Sequence, residues 1–251
     1  MAMVTLNRPD VHNAFDEDMQ RELRDLWGRL KTNDEVRSIV LTGSGDKAFC
    51  TGMDRSGVPT EEGEHFFQAL TYEDPGRSIG PRSQGLWKPI IAAVNGMACG
   101  GAFYLLGQVD FIVAAEHATF FDPHVTYGMP AVFEPALMGK KMPFGEVMRM
   151  TLLGGRERIS ARKAEQIGLV TQVVPSAELI EVTRQLALTI ASYSPAAVQA
   201  SLRAVWAAQE MPPGQMVELG NLFLNLATTA ESLRNSQEVF EKRKPEPPTI
   251  R

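Results

Sequence analysis

The chain has 251 residues, 44% of them hydrophobic and 22% charged, with a formal net charge of −5 at pH 7. This describes one large domain, or one domain with a small appendage, able to bury a substantial core. The acidic balance excludes a general nucleic-acid binder, which needs clustered Lys and Arg, and two distant cysteines without CxxC spacing exclude a disulfide framework. The opening MAMVTLNRPD has neither the charged nor the apolar region of a signal peptide, so a reducing, cytoplasmic setting is expected.

Met3 to Leu6 reads as a short strand that stops at Asn7-Arg8-Pro9. Asp16 is the expected N-cap of a helix with Glu17 and Asp18 in its first turn, and Met19, Leu23, Leu26 and Leu30 make its apolar stripe. Ser38 to Leu41 is the next strand. The TGSGDK turn after it lacks the GxxxxGK[ST] pattern and is a plain connection, not a phosphate loop. AFCTGMDRS (48–56) then runs from apolar residues through Gly52 to a polar cluster. Residues 57–86 mix a short helical pattern with a Gly-, Pro- and charge-rich stretch and read as a loop beside a binding pocket. Within it Phe66, Phe67 and Leu70 either line a tunnel or pack the helix down.

From Pro89 to Val109 no residue is charged, which is long enough for a membrane span. The punctuation argues against one. Pro89 opens the run, Asn95-Gly96 is a turn dipeptide and Gly100-Gly101 precedes a helical pattern. The expected unit is a buried strand (Ile90 to Val94), a turn, and a helix starting near Gly101. Backbone N–H groups at such a helix start lack partners, and glycine lets a ligand approach them. With Gly52 this makes two stations for a two-donor oxyanion hole; close packing of helix on strand explains the same glycines.

Ser160 opens a helix ending at Gly168, followed by a strand from Leu169 to Val174. Helical patterns continue through 176–193, 195–209 and 213–234. In the last, Met216, Leu219, Leu222, Phe223 and Leu226 form a wide stripe, facing either a partner subunit or ordinary core.

NRPDVHNAF (7–15), AFCTGMD (48–54), KPIIAAVNGMACGGA (88–102), GGRERISARKAEQIGLVTQVVP (154–175), SPAAVQASLRAV (195–205) and VFEKRKP (239–245) together resemble the crotonase, or enoyl-CoA hydratase/isomerase, superfamily. The likeness covers nearly the whole chain; 57–86 and 130–145 are the least typical parts. It implies an α/β fold, a spiral of ββα units over 1–193 carrying the CoA thioester site, and a helical trimerisation region over 194–251, with trimers often paired into hexamers. It implies acyl-CoA substrates, coenzyme A entering as part of the substrate and no separate cofactor, with no nucleic-acid or membrane partner. The matching oxyanion donors are the N–H groups of Met53 and Gly101. Ala14, Thr51, Asp54, Arg55 and Lys242 fall at positions assigned to the CoA portion. A structural turn role for Asp54 and a solvated basic tail for Lys242 are the competing readings. Family members usually carry another strand before the one ending in LNRP, whereas here Met1 is only a few residues upstream, and a missing strand would expose a sheet edge.

At the acid–base positions the sequence departs from the family. Tyr104 stands where typical hydratases carry one glutamate, three residues beyond the oxyanion glycine, and His124 in FFDPHVTYG stands at the second. Tyrosine, with a reference pKa of about 10, is a poor base near neutrality, whereas histidine can serve. A two-glutamate hydratase mechanism is therefore excluded. Glu134, between Phe133 and Pro135, lies about two residues beyond where some isomerases of the superfamily place a single catalytic acid. In an apolar setting its pKa would rise to suit proton shuttling between two carbons. Each has a plainer reading: Tyr104 fills space, His124 is a turn residue, Glu134 is a solvated helix-start glutamate. The expected reaction is enoyl-CoA isomerisation by Glu134, ahead of atypical hydration by His124. The alternatives are decarboxylation of a malonyl-type CoA, and a non-catalytic acyl-CoA-binding protein. His12, His65, His117 and His124 show no ligand spacing, so no metal site is expected. Cys99 reads as a small packed residue and not a nucleophile.

Overall fold

The computed structural model describes residues 1–56 and 75–242. The chain divides into two compact units, Met1–Ser192 and Tyr193–Arg251. The first contains strands β1 (Ala2–Leu6), β2 (Ile39–Gly43), β3 (Ala48–Cys50), β4 (Ile90–Val94), β5 (Met97–Cys99), β6 (Phe111–Ala115), β7 (Thr119–Phe121), β8 (Ile159–Ser160) and β9 (Gln172–Val174). Its helices are α1 (Glu17–Thr32), α2 (Pro75–Ile79), α3 (Ala102–Leu106), α4 (Phe133–Met138), α5 (Phe144–Leu153), α6 (Ala161–Gln166) and α7 (Leu179–Ser192). The second unit holds α8 (Pro195–Ala208), α9 (Pro213–Asn225) and α10 (Ala230–Lys242).

Two sheets form. One runs β1-β2-β4-β6-β9, parallel throughout; the other runs β3-β5-β7-β8, parallel except for the last pair. From β2 to β7 successive strands alternate between them, so β2/β3, β4/β5 and β6/β7 are repeated turns of one spiral. The strands of the larger sheet read as continuous apolar runs because both faces are covered. Ile39, Leu41, Ile90, Ala92, Val94, Ile112 and Ala114 face the main core, while Val40, Ile91, Ala93, Val113 and Ala115 alternate toward Leu179 and Ala187 of α7. β1 pairs only with β2, at the sheet edge.

Asp16 caps α1, its carboxylate accepting from Met19 N–H at 2.9 Å. Met19, Leu23 and Leu30 are buried as their spacing predicts, but Trp27, not Leu26, is the central residue of that face. Its indole Nε1 donates to the Ile79 carbonyl at 2.7 Å. The expected loop over 57–86 is thus corrected at its C-terminal end: Ile79 and Leu86 are fully buried. Phe66, Phe67 and Leu70 lie outside the described residues.

The helical pattern over 213–234 is two helices. Thr229 and Ser232 form a reciprocal cap, Thr229 N–H donating to Ser232 Oγ at 2.7 Å and Ser232 N–H to Thr229 Oγ1 at 3.0 Å, which starts α10 afresh. No residue of α9 is buried within the chain, so its apolar stripe is not ordinary core. No helix among the described residues is long and apolar enough to cross a membrane.

Candidate active site

Three parallel neighbours, β3, β5 and β7, end side by side, and each hands the chain to a polar or glycine-rich segment. Beyond β3 come Thr51-Gly52-Met53. Gly52 has φ +88°, a left-handed conformation suited to glycine. Beyond β5 come Gly100-Gly101 and the start of α3. The two glycine segments touch: a β-carbon on Gly52 would stand 2.7 Å from Gly101 N, and one on Gly101 would stand 3.1 Å from Gly52 Cα.

Phe15 props this contact from beneath. Its N–H donates to Gly52 O and its carbonyl accepts from Asp54 N–H, both at 2.9 Å, a ladder that leaves the Met53 N–H out. Its ring lies where a Gly101 side chain would be, 2.8 Å from that β-carbon. Asn13, fully buried, holds the preceding turn against Ser44 O and Ala48 O at 2.9 and 2.8 Å. Among the described residues neither Met53 N–H nor Gly101 N–H has an intramolecular acceptor.

Beyond β7 come Asp122-Pro123-His124. His124 opens a 3-10 turn (His124–Tyr127), and its Cε1 would lie 3.7 Å from a β-carbon on Gly100. Asp122 is fully buried; its Oδ1 accepts from His124 N–H at 3.1 Å and lies 2.5 Å from His124 Nδ1. His124 Nε2 lies 3.6 Å from Glu134 Oε1. Glu134 is at once a helix-start residue, in the first turn of α4, and 3% exposed, so the solvated alternative is corrected. Tyr104, buried on α3, hydrogen-bonds the Glu134 side chain. Space-filling is therefore not its whole role.

The electrostatics follow from these contacts. The hydrogen bond to Asp122 holds the His124 imidazolium above the usual histidine value, against the desolvation that opposes it. Burial pushes the Glu134 carboxyl up from the usual carboxylate range, while the His124 charge and Tyr104 pull it back. Burial likewise pushes the Cys99 thiol up to about 12, which keeps it a neutral packing group.

Of the residues expected at the CoA portion, Ala14, Thr51, Asp54 and Arg55 lie on the two segments that pair beside Gly52. Ala14 is buried, and Thr51 Oγ1 bonds His12 O at 3.3 Å. The Asp54 carboxylate is engaged with Ser56 N–H (3.0 Å), Ser56 Oγ (2.7 Å) and Arg8 Nη1 (2.9 Å), contacts that hold it below its ordinary value. The Arg55 guanidinium sits over the Tyr127 ring, 5.7 Å from its centroid. Lys242 ends α10 and its side chain lies outside the described residues. Sequence reasoning missed Asp122; the Asp-Pro-His spacing was its signal.

Asp122, His124 and Glu134 also form the one His-carboxylate group among the described residues with ligand atoms within 4.8 Å of one another. Absent HxH spacing did not anticipate it. At 2.5 Å, Nδ1 and Asp122 Oδ1 are at hydrogen-bond distance, closer than neighbouring ligands of one metal ion stand. That leaves Nε2 and Glu134, fewer than a structural or catalytic cation site uses.

A spiral of ββα turns, with glycine-flanked segments and His124 following adjacent parallel strands and Tyr104 and Glu134 brought up by α3 and α4, has the architecture of a crotonase-fold enzyme. The sequence pattern of the enoyl-CoA hydratase/isomerase family matches residues 1–247, and the chain belongs to that family. Among its relatives, (E)-benzylidenesuccinyl-CoA hydratase of Thauera aromatica is 34% identical, over 97% of this chain and 93% of that one. The 2,3-dehydroadipyl-CoA hydratase of Escherichia coli is 31% identical over 97% and 93%. An enoyl-CoA hydratase/isomerase from Mycobacterium paratuberculosis superimposes with a TM-score of 0.85 at 31% identity, covering 97% of this chain and 92% of that one.

Proposed function

We propose that the chain adds water reversibly across the Cα=Cβ bond of an enoyl-CoA thioester, with His124 and Glu134 in place of the two glutamates. The observation that carries this reading is the 3.6 Å approach of His124 Nε2 to Glu134 Oε1, beside the Gly52–Gly101 contact. Hydration needs two acid–base groups, whereas a single-base isomerase needs one.

The N–H groups of Met53 and Gly101 donate to the thioester oxygen and stabilise the charge that develops there. Glu134, ionised, takes a proton from water as its oxygen bonds Cβ. The π pair moves toward Cα and the thioester, giving an enolate. The His124 imidazolium, packed against the Gly100–Gly101 turn and so beside the carbonyl end, protonates Cα from Nε2. Glu134 is left protonated and His124 neutral, and one proton returned from Oε1 to Nε2 restores the site. Tyr104 steadies the Glu134 carboxylate. The relatives named above as hydratases support the same reading. Isomerisation by Glu134 alone is the second reading, favoured by the burial that raises its pKa.

Ala14, Thr51, Asp54, Arg55 and Lys242 are proposed to meet the CoA portion, with no further cofactor and a cytoplasmic setting. The exposed stripe of α9 fits a homotrimer, or a dimer of trimers, to be read by light scattering. Mass spectrometry of 2- and 3-enoyl-CoA incubated in D₂O tests the reaction. Water gain supports hydration. Double-bond migration or deuterium exchange without water gain assigns the single-base route. Tight ester binding without turnover identifies an acyl-CoA-binding protein instead.

A further inference from the structure

Asp122 is a buried charge that the proposed steps leave unused. It has no exposed surface, and its Oδ2 has no hydrogen-bond partner. A buried carboxylate oxygen without a partner is costly, and a residue kept only to cap a turn gains nothing from a charge there. What Asp122 does have is a two-point hold on one residue: Oδ1 takes both the backbone N–H of His124, at 3.1 Å, and its ring Nδ1, at 2.5 Å. Pro123, with φ −87°, stiffens the connection between them.

We infer that Asp122 is a positioning residue that fixes the His124 imidazole with its Nδ1 proton on the carboxylate, so that Nε2 is the nitrogen presented to Glu134 and the substrate. This rests on His124 acting in the reaction, but the ring geometry is measurable without substrate. The other groups that act on His124 are Glu134 from α4, whose charge works in the same direction as Asp122, and Arg55 from the segment after β3, which works against it. Tyr104 from α3 reaches the site through Glu134, and Cys99 of β5 is a neutral thiol. Asp122 is the first of these influences, and it is the one at hydrogen-bond distance from a ring nitrogen, Nδ1.

Nitrogen-15 NMR of the His124 ring, read across pH in the wild type and in D122N, tests this. Asparagine with its oxygen at the Oδ1 position keeps an acceptor for the backbone N–H and for Nδ1 but loses the charge, its amide nitrogen taking the unpartnered Oδ2 position. The wild-type ring should carry its proton on Nδ1 when neutral and titrate above pH 6.5. In D122N the midpoint should fall by about one unit or more, and kcat for hydration by about a hundredfold or more with little change in KM. A wild-type ring protonated on Nε2 when neutral, or titrating at or below 6.5, overturns the inference even if D122N does not fold. So does a folded D122N with unchanged midpoint and kcat, the result expected of a turn cap. The NMR pattern as described, with no ester turned over by the wild type, upholds the clamp and counts against the reaction alone.

Discussion

Gly52 and Gly101 meet backbone to backbone, so that a β-carbon on Gly52 would stand 2.7 Å from the Gly101 nitrogen. The contact joins segments 49 residues apart in sequence, and parallel pairing of β3 with β5 brings it about. It places two N–H groups, those of Met53 and Gly101, at the ends of adjacent strands.

Gly52→Ala is expected to separate those donors. Its φ of +88° strains any β-carbon, and the neighbour is backbone that cannot swing aside. Loss of one oxyanion donor costs about 10²- to 10³-fold in kcat. Steady-state kinetics on 2-enoyl-CoA should show that fall with the circular dichroism spectrum of the fold retained. Unchanged kcat would remove the Met53–Gly101 pair from the mechanism.

Glu134→Gln should abolish turnover yet raise stability at neutral pH. Burial is the foremost influence on this carboxyl and raises its pKa, so the ionised form opposes folding, a cost present above the folded-state value and relieved as pH falls through it. Gln removes that charge. The expected result is a higher melting temperature at pH 7, with CoA-ester affinity kept within about threefold and turnover lost. A lower melting temperature would mean that the pairing with His124 outweighs desolvation.

The pH profile of kcat should be bell-shaped. The acid limb reports ionisation of Glu134, with rate lost as pH falls through a value above 4.5. The alkaline limb reports His124, with rate lost as pH rises through a value above 6.5. At 3.6 Å the two titrate as a coupled pair, so the limbs belong to the pair. For stability, the raised His124 value contributes most below about pH 6.5, the unfolded reference, and the contribution disappears as pH rises through the folded value. A profile with neither limb across the pH range in which the fold persists would exclude both groups.

Much of this was legible in the sequence. Unbroken apolar runs such as Ile90–Val94 announce strands covered on both faces, and Asp16 announces the start of α1. Glycines at 52 and 101 marked both stations. Short strands were not legible: β5 and β7, three residues each, are too brief to show a period. Asp122 hid inside an Asp-Pro dipeptide that reads as an ordinary turn. Glu134 was visible, but its burial depends on α4 packing against α3, which one-dimensional pattern does not encode. Residues 75–86 looked loose because Gly and Pro dominate there, while two apolar residues, Ile79 and Leu86, anchor the stretch in the core.

That anchored stretch leads to the last prediction. Arg82 Nη2 pairs with Asp110 Oδ1 at 2.6 Å, with side-chain exposures of 7% and 13%. Arg82 also bonds Lys88 O at 3.1 Å and lies 5.3 Å from the Trp87 ring centroid. Asp110 Oδ2 accepts from Ile90 N–H, at 2.7 Å, at the first residue of β4. Breaking a buried pair leaves one charge uncompensated, which costs about 3–5 kcal/mol. Asp110→Asn should therefore unfold at distinctly lower urea concentration, and Arg82→Met should do so to a similar degree. Neither residue is among those placed at Gly52, Gly101, His124 or Glu134, so kcat well below the melting temperature should stay within about twofold. A stable Asp110→Asn would show that the carboxylate serves β4 through its Ile90 hydrogen bond and that the charge is dispensable. A stable but inactive variant would mean that the start of β4 sets the position of Gly101 more tightly than its packing requires.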